Sequence, residues 1–341
     1  MKRILALLTA MLLAVGCLPL PVGAESEPSV SAGCAVLMDA DTGELLYARH
    51  PDRPGLIAST TKIMTAWLAC QEGDLDRVVT VPAEAVGVEG TSLYLREGER
   101  LTREELLYGT MIQSGNDAAL ALAIDVGGSE AAFVERMNET ARSLGLQNTH
   151  YANPHGLDSE DNYSSARDLA LLTAKALEND EFRRICATKS VTVTGDRVLT
   201  NHNKLLWRCP GCMGVKTGYT RAAGRLLVSA AQREGRILIC VTIHDPEDWQ
   251  DHIRLLDWGF SRYEARTVAR RGEALCVAPG GTPLVAGADL TLRLAPGEEP
   301  RLVFCPGLSS ELLSGREAGT VRVLLNGKTV AEIPVSWGKS S

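Results

Sequence analysis

Ser59 and Lys62 stand three residues apart in LIASTTKIMTAWLAC (residues 56–70), at the head of a run that is otherwise apolar. On a helix, positions i and i+3 share a face with Cβ atoms about 5–6 Å apart, so the hydroxyl and the amine can touch. A serine hydroxyl is a weak nucleophile until a neighbour removes its proton. A lysine at its free pKa of about 10.4 is protonated near neutrality and cannot serve. Burial and a second cation both lower that value, and enzymes use them to bring a lysine base to about 7–8. An apolar setting for Lys62 is therefore what a lysine general base needs. The bland alternative is a capping serine followed by a lysine whose stem lies along apolar surface. A Ser-x-x-Lys arises by chance about once in a chain of this length, and Ser336-Trp-Gly-Lys339 is a second, in what reads as a C-terminal tail.

Two further groups alter the weighing. Ser114-Gly115-Asn116 falls in a break between two helical patterns, where a loop can present side chains to a cleft. Ser114 could pass a proton between Lys62 and a leaving group, and the Asn116 amide could hold a carbonyl; a plain helix cap is the alternative. Lys216-Thr217-Gly218 enters a strand. Lys216 would supply the second cation and attract an anionic substrate, and Thr217 could hydrogen-bond a carboxylate. Gly218, facing the same way as Lys216, would leave room for an extended peptide along the strand edge. The alternative is a glycine turn before a strand.

Each group is weak, but the ordered triplet Ser-x-x-Lys, Ser-x-Asn and Lys-Thr-Gly at 59, 114 and 216 is specific. It matches the set of penicillin-binding proteins and class A β-lactamases. The stretches STTKIMTAWLA, SGNDAA, NPHGLD, SSARDLA and GVKTGYTRAAGR resemble the low-molecular-mass penicillin-binding proteins, the serine-type D-alanyl-D-alanine carboxypeptidases. The resemblance runs from about residue 33 to the β-type C-terminal region, covering nearly all of the chain after its first segment.

That resemblance implies attack by Ser59 on the carbonyl between the last two D-alanines of a peptidoglycan stem peptide, with Lys62 as base and no cofactor or metal. It implies an oxyanion held by the backbone N–H groups of Ser59 and Tyr219, and inhibition by β-lactams that acylate Ser59. His155 and Asp168 match recurring family positions and are expected in support roles, in a loop near the site and at a helix start. The chain departs from the family pattern where many members carry a carboxylate-binding arginine. Here that region reads DPEDWQDH, and Arg221 or Arg225 are the stand-ins. A class A β-lactamase would need a Glu-x-x-Leu-Asn, which is not present. A D,D-endopeptidase would use the same residues. An inert peptidoglycan-binding module would be expected to have lost one of Ser59, Lys62 and Lys216.

The elements that must position these groups are legible in outline. AGCAVLMDA and GELLYAR read as two strands around Asp41-Thr42-Gly43. Thr102-Arg-Glu-Glu105 is a capping box before LLYGTMIQ, NDAALALAIDV is helical, and Ser165-Ala-Arg-Asp168 suits the start of LALLTAKAL. Strand patterns return at VTVT, GRLLVSAA and RILICVTI. Two strands, a helical block, then more strands predict an α+β catalytic domain over 25–262 whose sheet is made from both ends. From 263 to 341, short β-type runs split by Pro and Gly, with an Asn326-Gly327 hairpin signal, predict a small all-β C-terminal domain.

Residues 1–24 read as a secretory signal: Lys2 and Arg3, a short apolar run, then Val22-Gly23-Ala24. Losing Lys2 and Arg3 and no acid takes the net charge from −7 to −9. No basic cluster points to nucleic acid. The expected location is the outer face of the membrane or the cell wall, as a monomer. The chain shows no terminal amphipathic helix of the kind with which family members dock on membranes, and LAVGC offers a lipidated Cys17 instead. Among nine cysteines, Cys34, Cys70, Cys186 and Cys240 lie in apolar runs, and Cys209-Pro-Gly-Cys212 is the close pair. That pair is compatible with redox, disulfide or half a zinc site, without a second half-site evident.

Overall fold

The computed structural model describes residues 27–278, 281–306 and 318–338. The expected signal segment, Cys17 and Lys339 lie outside them. A five-stranded antiparallel sheet is built from β1 (Cys34–Asp39), β2 (Leu45–Arg49), β3 (Cys212–Thr220), β4 (Gly224–Arg233) and β5 (Arg236–Ile243), in the order β2-β1-β5-β4-β3. Strands from both ends of the catalytic region thus meet at β1 and β5, in register from Cys34↔Ile243 to Asp39↔Leu238.

The sheet is covered on both faces, and its sequence shows why. Val36, Met38, Ile239 and Val241 face one apolar cluster, while Ala35, Leu37, Leu238 and Cys240 face another. Successive strand residues alternate sides, so a strand covered on both faces must be apolar throughout. The first cluster is supplied by the helical block: α1 (Lys62–Gln71), α2 (Arg103–Met111), α3 (Asn116–Gly127), α4 (Glu130–Ser143), α5 (Ala166–Ala176) and α6 (Asp180–Ala187). A short α7 (Leu205–Arg208) precedes β3, and α8 (Asp248–Ser261) covers the opposite face. The caps read from the sequence are in place. Thr102 and Glu105 form a reciprocal capping box on α2, and Ser165 Oγ accepts from Asp168 N–H at the start of α5.

α1 lies at the centre of the helical block, with every residue from Lys62 to Cys70 buried. A helix apolar on all sides belongs in a core rather than at a surface. Its first residue is the lysine.

The C-terminal region contains a two-stranded ladder of β6 (Glu264–Ala269) and β9 (Leu290–Leu294). It also contains a sheet ordered β7-β8-β12-β11-β10, formed by β7 (Ala274–Val277), β8 (Pro283–Ala286), β10 (Arg301–Pro306), β11 (Gly319–Leu325) and β12 (Lys328–Trp337). Asn326-Gly327 makes the turn between β11 and β12, both with positive φ, as expected for that hairpin signal. Ser336 belongs to β12, opposite Val285, and not to a tail. The second Ser-x-x-Lys is therefore placed by sheet pairing at its serine end.

Arg236 ties this region to the central sheet. It is buried, donates to Asp39 Oδ2 at 2.7 Å, pairs with Glu298 and lies over the Tyr263 ring at 4.4 Å. Tyr263 Oη donates to the same Asp39 oxygen at 2.7 Å.

Candidate active site

A cleft of about 360 Å³ opens where the helical block meets β3, and Ser59, Ser114, Thr217, Gly218, Tyr219 and Arg225 are among its lining residues. Ser59 sits in a 3₁₀ turn, Ala58–Thr61, that runs directly into α1. In a 3₁₀ turn residues three apart eclipse each other, which aligns Ser59 with Lys62 more directly than an α-helix would. Ala58 takes a positive φ of 45° to present the serine. Such a conformation costs of order 1–3 kcal/mol in a non-glycine residue and persists only when its surroundings over-determine it.

The surroundings come largely from NPHG. Gly156 has φ of 91°, and a β-carbon there would lie 1.9 Å from the Ala58 carbonyl oxygen. Asn153 Oδ1 accepts from the N–H of Gly156 at 2.6 Å and shapes that loop. The His155 side chain is buried, and burial followed by the Lys62 charge lowers its pKa to about 4. Its contribution to the site is the main-chain carbonyl, which accepts from Lys62 Nζ at 2.5 Å.

Lys62 Nζ also lies 2.6 Å from Asn116 Oδ1 and 3.1 Å from Ser59 Oγ. Two of its three neighbours, an amide oxygen and a backbone carbonyl, can only accept. A neutral amine has two N–H donors and one lone pair. With both donors spent on those carbonyls, the lone pair is left for the serine O–H. The same geometry thus reads as a general base aimed at a nucleophile. Burial is the largest cause holding Lys62 well below the ordinary lysine value; the Lys216 charge adds to it and Asp117 opposes it.

Asn116 begins α3, and its Nδ2 donates to the Glu89 carbonyl at 2.6 Å, which fixes the amide so that Oδ1 faces Lys62. Asp117, fully buried, accepts from the backbone N–H groups of Leu93 and Leu95 and from Ser92 Oγ. It anchors the 92–95 strap over the helix start. Ser114, with φ of 66°, directs its hydroxyl to Lys216 Nζ at 3.0 Å. Lys216 Nζ donates as well to the Thr217 carbonyl at 2.9 Å. Burial brings its pKa down to about 7.

Gly218 is placed differently from expectation. Its missing side chain faces the serine turn, where a β-carbon would stand 3.3 Å from the Ile57 carbonyl oxygen and 3.4 Å from Ala58 Cβ. The glycine brings β3 onto the nucleophile turn, and Thr217 and Tyr219 flank it on the cleft. β3 is nonetheless the edge of its sheet, with ladder groups unpaired on its outer side among the described strands.

Of the two arginines, Arg225 lines the cleft and Arg221 does not; Arg221 is exposed in the turn after β3. Arg225 is committed to Asp248 through Nε and Nη2, at 2.8–3.1 Å, and its guanidinium lies 5.8 Å from the centre of the Trp249 ring. Asp168 is remote from the cleft lining; Oδ2 accepts from Asn148 N–H and Thr149 Oγ1 at 2.7 and 2.8 Å and supports the loop behind α5.

Several site residues carry no signal of their own in the sequence reading. Thr91, His202, Lys204 and Trp249 line the cleft, and Asp117 and Gly156 hold it in shape. Asp117 and Gly156 lie inside SGNDAA and NPHGLD, where their roles could have been read. Thr91, His202 and Lys204 come from loops and Trp249 from the first turn of α8, none with a spacing signal. The eight described cysteines are all free thiols, and no group of three or more metal-binding side chains occurs among the described residues.

A family of fold and site is thereby defined: serine acyltransferases of the penicillin-binding type. The family described as D-alanyl-D-alanine carboxypeptidase, peptidase S11, matches residues 22–247. The D-alanyl-D-alanine carboxypeptidase DacF of Bacillus subtilis is 32% identical over 334 residues, covering 91% of this chain and 86% of its own. Penicillin binding protein 6B of Escherichia coli superposes with a TM-score of 0.68 at 29% identity, covering 93% of this chain and 98% of its own. DacD of Francisella tularensis, at 23% identity and TM-score 0.69 over 96% of this chain and 97% of its own, shares the fold. The chain belongs to the D-alanyl-D-alanine carboxypeptidase family of serine peptidases.

Proposed function

We propose that the enzyme removes the terminal D-alanine from peptidoglycan stem pentapeptides through an acyl-enzyme on Ser59. The observation that carries this reading is the Lys62 environment: two obligate acceptors, a buried amine and a serine hydroxyl at 3.1 Å. Lys62 takes the Ser59 proton as Oγ attacks the carbonyl carbon of the penultimate D-alanine. The backbone N–H groups of Ser59 and Tyr219 receive the developing oxyanion; losing one such donor costs about 3–4 kcal/mol of transition-state stabilisation in other serine peptidases. Ser114, bonded to Lys216, relays the proton to the departing D-alanine amine, and Asn116 holds both Lys62 and the acyl side of the substrate. Water then attacks the ester, the tetrahedral adduct collapses, and Ser59 leaves with its proton restored.

The terminal carboxylate is received by Thr217 and Arg225, with Lys216 adding positive charge behind them. Arg225 stands in the cleft although it starts from β4, which supports it as the stand-in for the arginine missing from DPEDWQDH. His155 and Asp168 act as supports, and Arg221 is left outside the cleft. Residues 25–262 form the catalytic unit and 263–341 the β-rich one. Residues 1–24 direct export, and Cys17 is a lipidation candidate. Among the described residues no helix is long and apolar enough to cross a membrane. The enzyme acts as a monomer on stem peptides, with β-lactams as inhibitors.

The test is intact mass spectrometry of the exported chain and Ser59→Ala after exposure to penicillin, alongside D-alanine release from a stem pentapeptide. One drug-sized adduct and D-alanine release in the parent, and neither in the variant, are expected. An unmodified parent that also leaves the drug intact would overturn the acyl-enzyme.

A further inference from the structure

Ser31, far in sequence from every catalytic motif, sits at the centre of a hydrogen-bond hub on the segment that grips Arg225. Its backbone N–H donates to Asp251 Oδ2 at 2.6 Å. Its hydroxyl lies 2.7 Å from Asp245 Oδ1 and 3.0 Å from Asp251 Oδ2. The hydroxyl oxygen in turn receives the Glu247 N–H at 3.3 Å. One small residue thus joins the loop 245–247 to the first turn of α8, which together make up segment 245–251.

That segment holds Arg225 from two directions. The Asp245 N–H donates to the Arg225 carbonyl at 2.9 Å, and the Asp248 carboxylate takes the guanidinium through Nε and Nη2. Asp248 is buried while the Arg225 side chain is 44% exposed on the cleft, so the carboxylate fixes where the guanidinium points. Nη1 has no hydrogen-bond partner among the described residues, and the side chain lines the cleft. Because Asp248 cancels much of the arginine's net charge, recognition there depends on hydrogen-bond direction, and direction depends on the segment.

We infer that Ser31 is a positioning residue for substrate: it locks loop 245–247 against the first turn of α8 so that Asp248 presents Arg225 to the terminal carboxylate. The inference rests on the reading of Arg225 given above. Removing the hydroxyl takes away the group that links Asp245 and the Glu247 N–H to the N-terminal segment; Asp251 keeps the Ser31 N–H and Arg254, so the loop side of the hub is the side released. The loop opens, and Arg225 swings with it. Ser31 lies seven residues past the expected cleavage point at Ala24, so the processed N-terminal segment is wired to the substrate cleft.

The experiment compares kcat/KM for a D-alanyl-D-alanine peptide with that for the same peptide bearing a C-terminal amide. A loss of folded enzyme lowers both values together, whereas loss of carboxylate recognition lowers their ratio. Arg225→Ala should cut the ratio about 10- to 100-fold, the range for a hydrogen bond to a charged group. Ser31→Ala should cut it about tenfold, Ser31→Thr should restore it, and Ser31→Ala in the Arg225→Ala background should do nothing more. Asp245→Asn, which preserves shape while weakening the hub, is the second variant should Ser31→Ala not fold, and it should lower the ratio in the same way. If Arg225→Ala leaves the ratio unchanged, the carboxylate assignment itself fails. If Arg225→Ala lowers it but neither Ser31→Ala nor Asp245→Asn does, or if their effects persist without Arg225, the role of Ser31 is overturned.

Discussion

Gly156 lies so close to the Ala58 carbonyl that a β-carbon on it would come within 1.9 Å of that oxygen. The residue that supports the nucleophile turn from beneath therefore has no freedom to be anything larger, and its φ of 91° adds backbone strain for any L side chain. Gly156→Ala should push the turn outwards and misalign Ser59 with Lys62. A misplacement of about 1 Å costs about 10²-fold in rate. Penicillin acylation measured by stopped-flow should fall by about that factor, with a single adduct still forming at long times. Unchanged acylation would mean the turn is not held from this side.

Lys62→Arg keeps the positive charge and length but cannot become neutral in a protein. Acylation should fall about 10²- to 10⁴-fold, the usual contribution of a general base. Intact mass spectrometry over hours reads the residual rate. An arginine variant as fast as the parent would show that Lys62 serves Ser59 only as a cation.

With Lys216 bonded to Ser114 as the proposed mechanism has it, Lys216 should set the alkaline side of the pH profile. The acylation rate should rise as Lys62 becomes neutral and fall as Lys216, whose pKa burial brings down to about 7, loses the proton it donates to Ser114. The expected profile is a bell. Lys216→Arg retains a cation at every working pH, so its descending limb should vanish below about pH 9 even if the maximum rate drops. A descending limb that stays in place would assign it to another group.

Two buried histidines should make the fold acid-sensitive. His252 is held between Ser229 Oγ at 2.6 Å and Thr242 Oγ1 at 3.0 Å, and burial lowers its pKa to about 3; His155 is lowered to about 4. Both folded values lie below the unfolded value of about 6.5, so the unfolded chain takes up the proton first. Their stabilisation is complete above about pH 6.5 and is lost as pH falls towards the folded values. At about 1.4 kcal/mol per pH unit, each contributes a loss of about 2 kcal/mol between about pH 6.5 and 5. Urea unfolding at about pH 7.5 and 5.0 should show the decline, and His252→Asn should shrink it by about 2 kcal/mol.

Arg236 joins the β-rich region to the central sheet through Asp39, Glu298 and Tyr263. Arg236→Ala leaves carboxylates unpaired at a buried junction and should cost about 3–5 kcal/mol. Urea titration should show it, with protease cutting appearing first after residue 263. Penicillin should still form one adduct, because Ser59 and its partners lie elsewhere. Equal resistance to urea would mean the two regions hold together by their apolar contacts.

What the sequence determined by itself is the chemistry and the layout of elements. Three short motifs mark the residues that the structure brings to one cleft, Ser59 beside Lys62 and Ser114 beside Lys216. The alternation of Val36 and Met38 against Ala35 and Leu37, and the Thr102 to Glu105 capping box, are local patterns that chain geometry turns directly into a strand and a helix start. The tertiary structure decided what lies between distant segments. That the His155 carbonyl accepts from Lys62, that Gly218 makes room for the Ser59 turn, and that Arg225 is held by Asp248 all depend on backbone direction and long-range packing. Ser31 has no spacing relation to the segment 245–251 it binds, over 200 residues away. Periodicity reports which face of an element is buried; it carries no information on which atom of a remote loop meets it there.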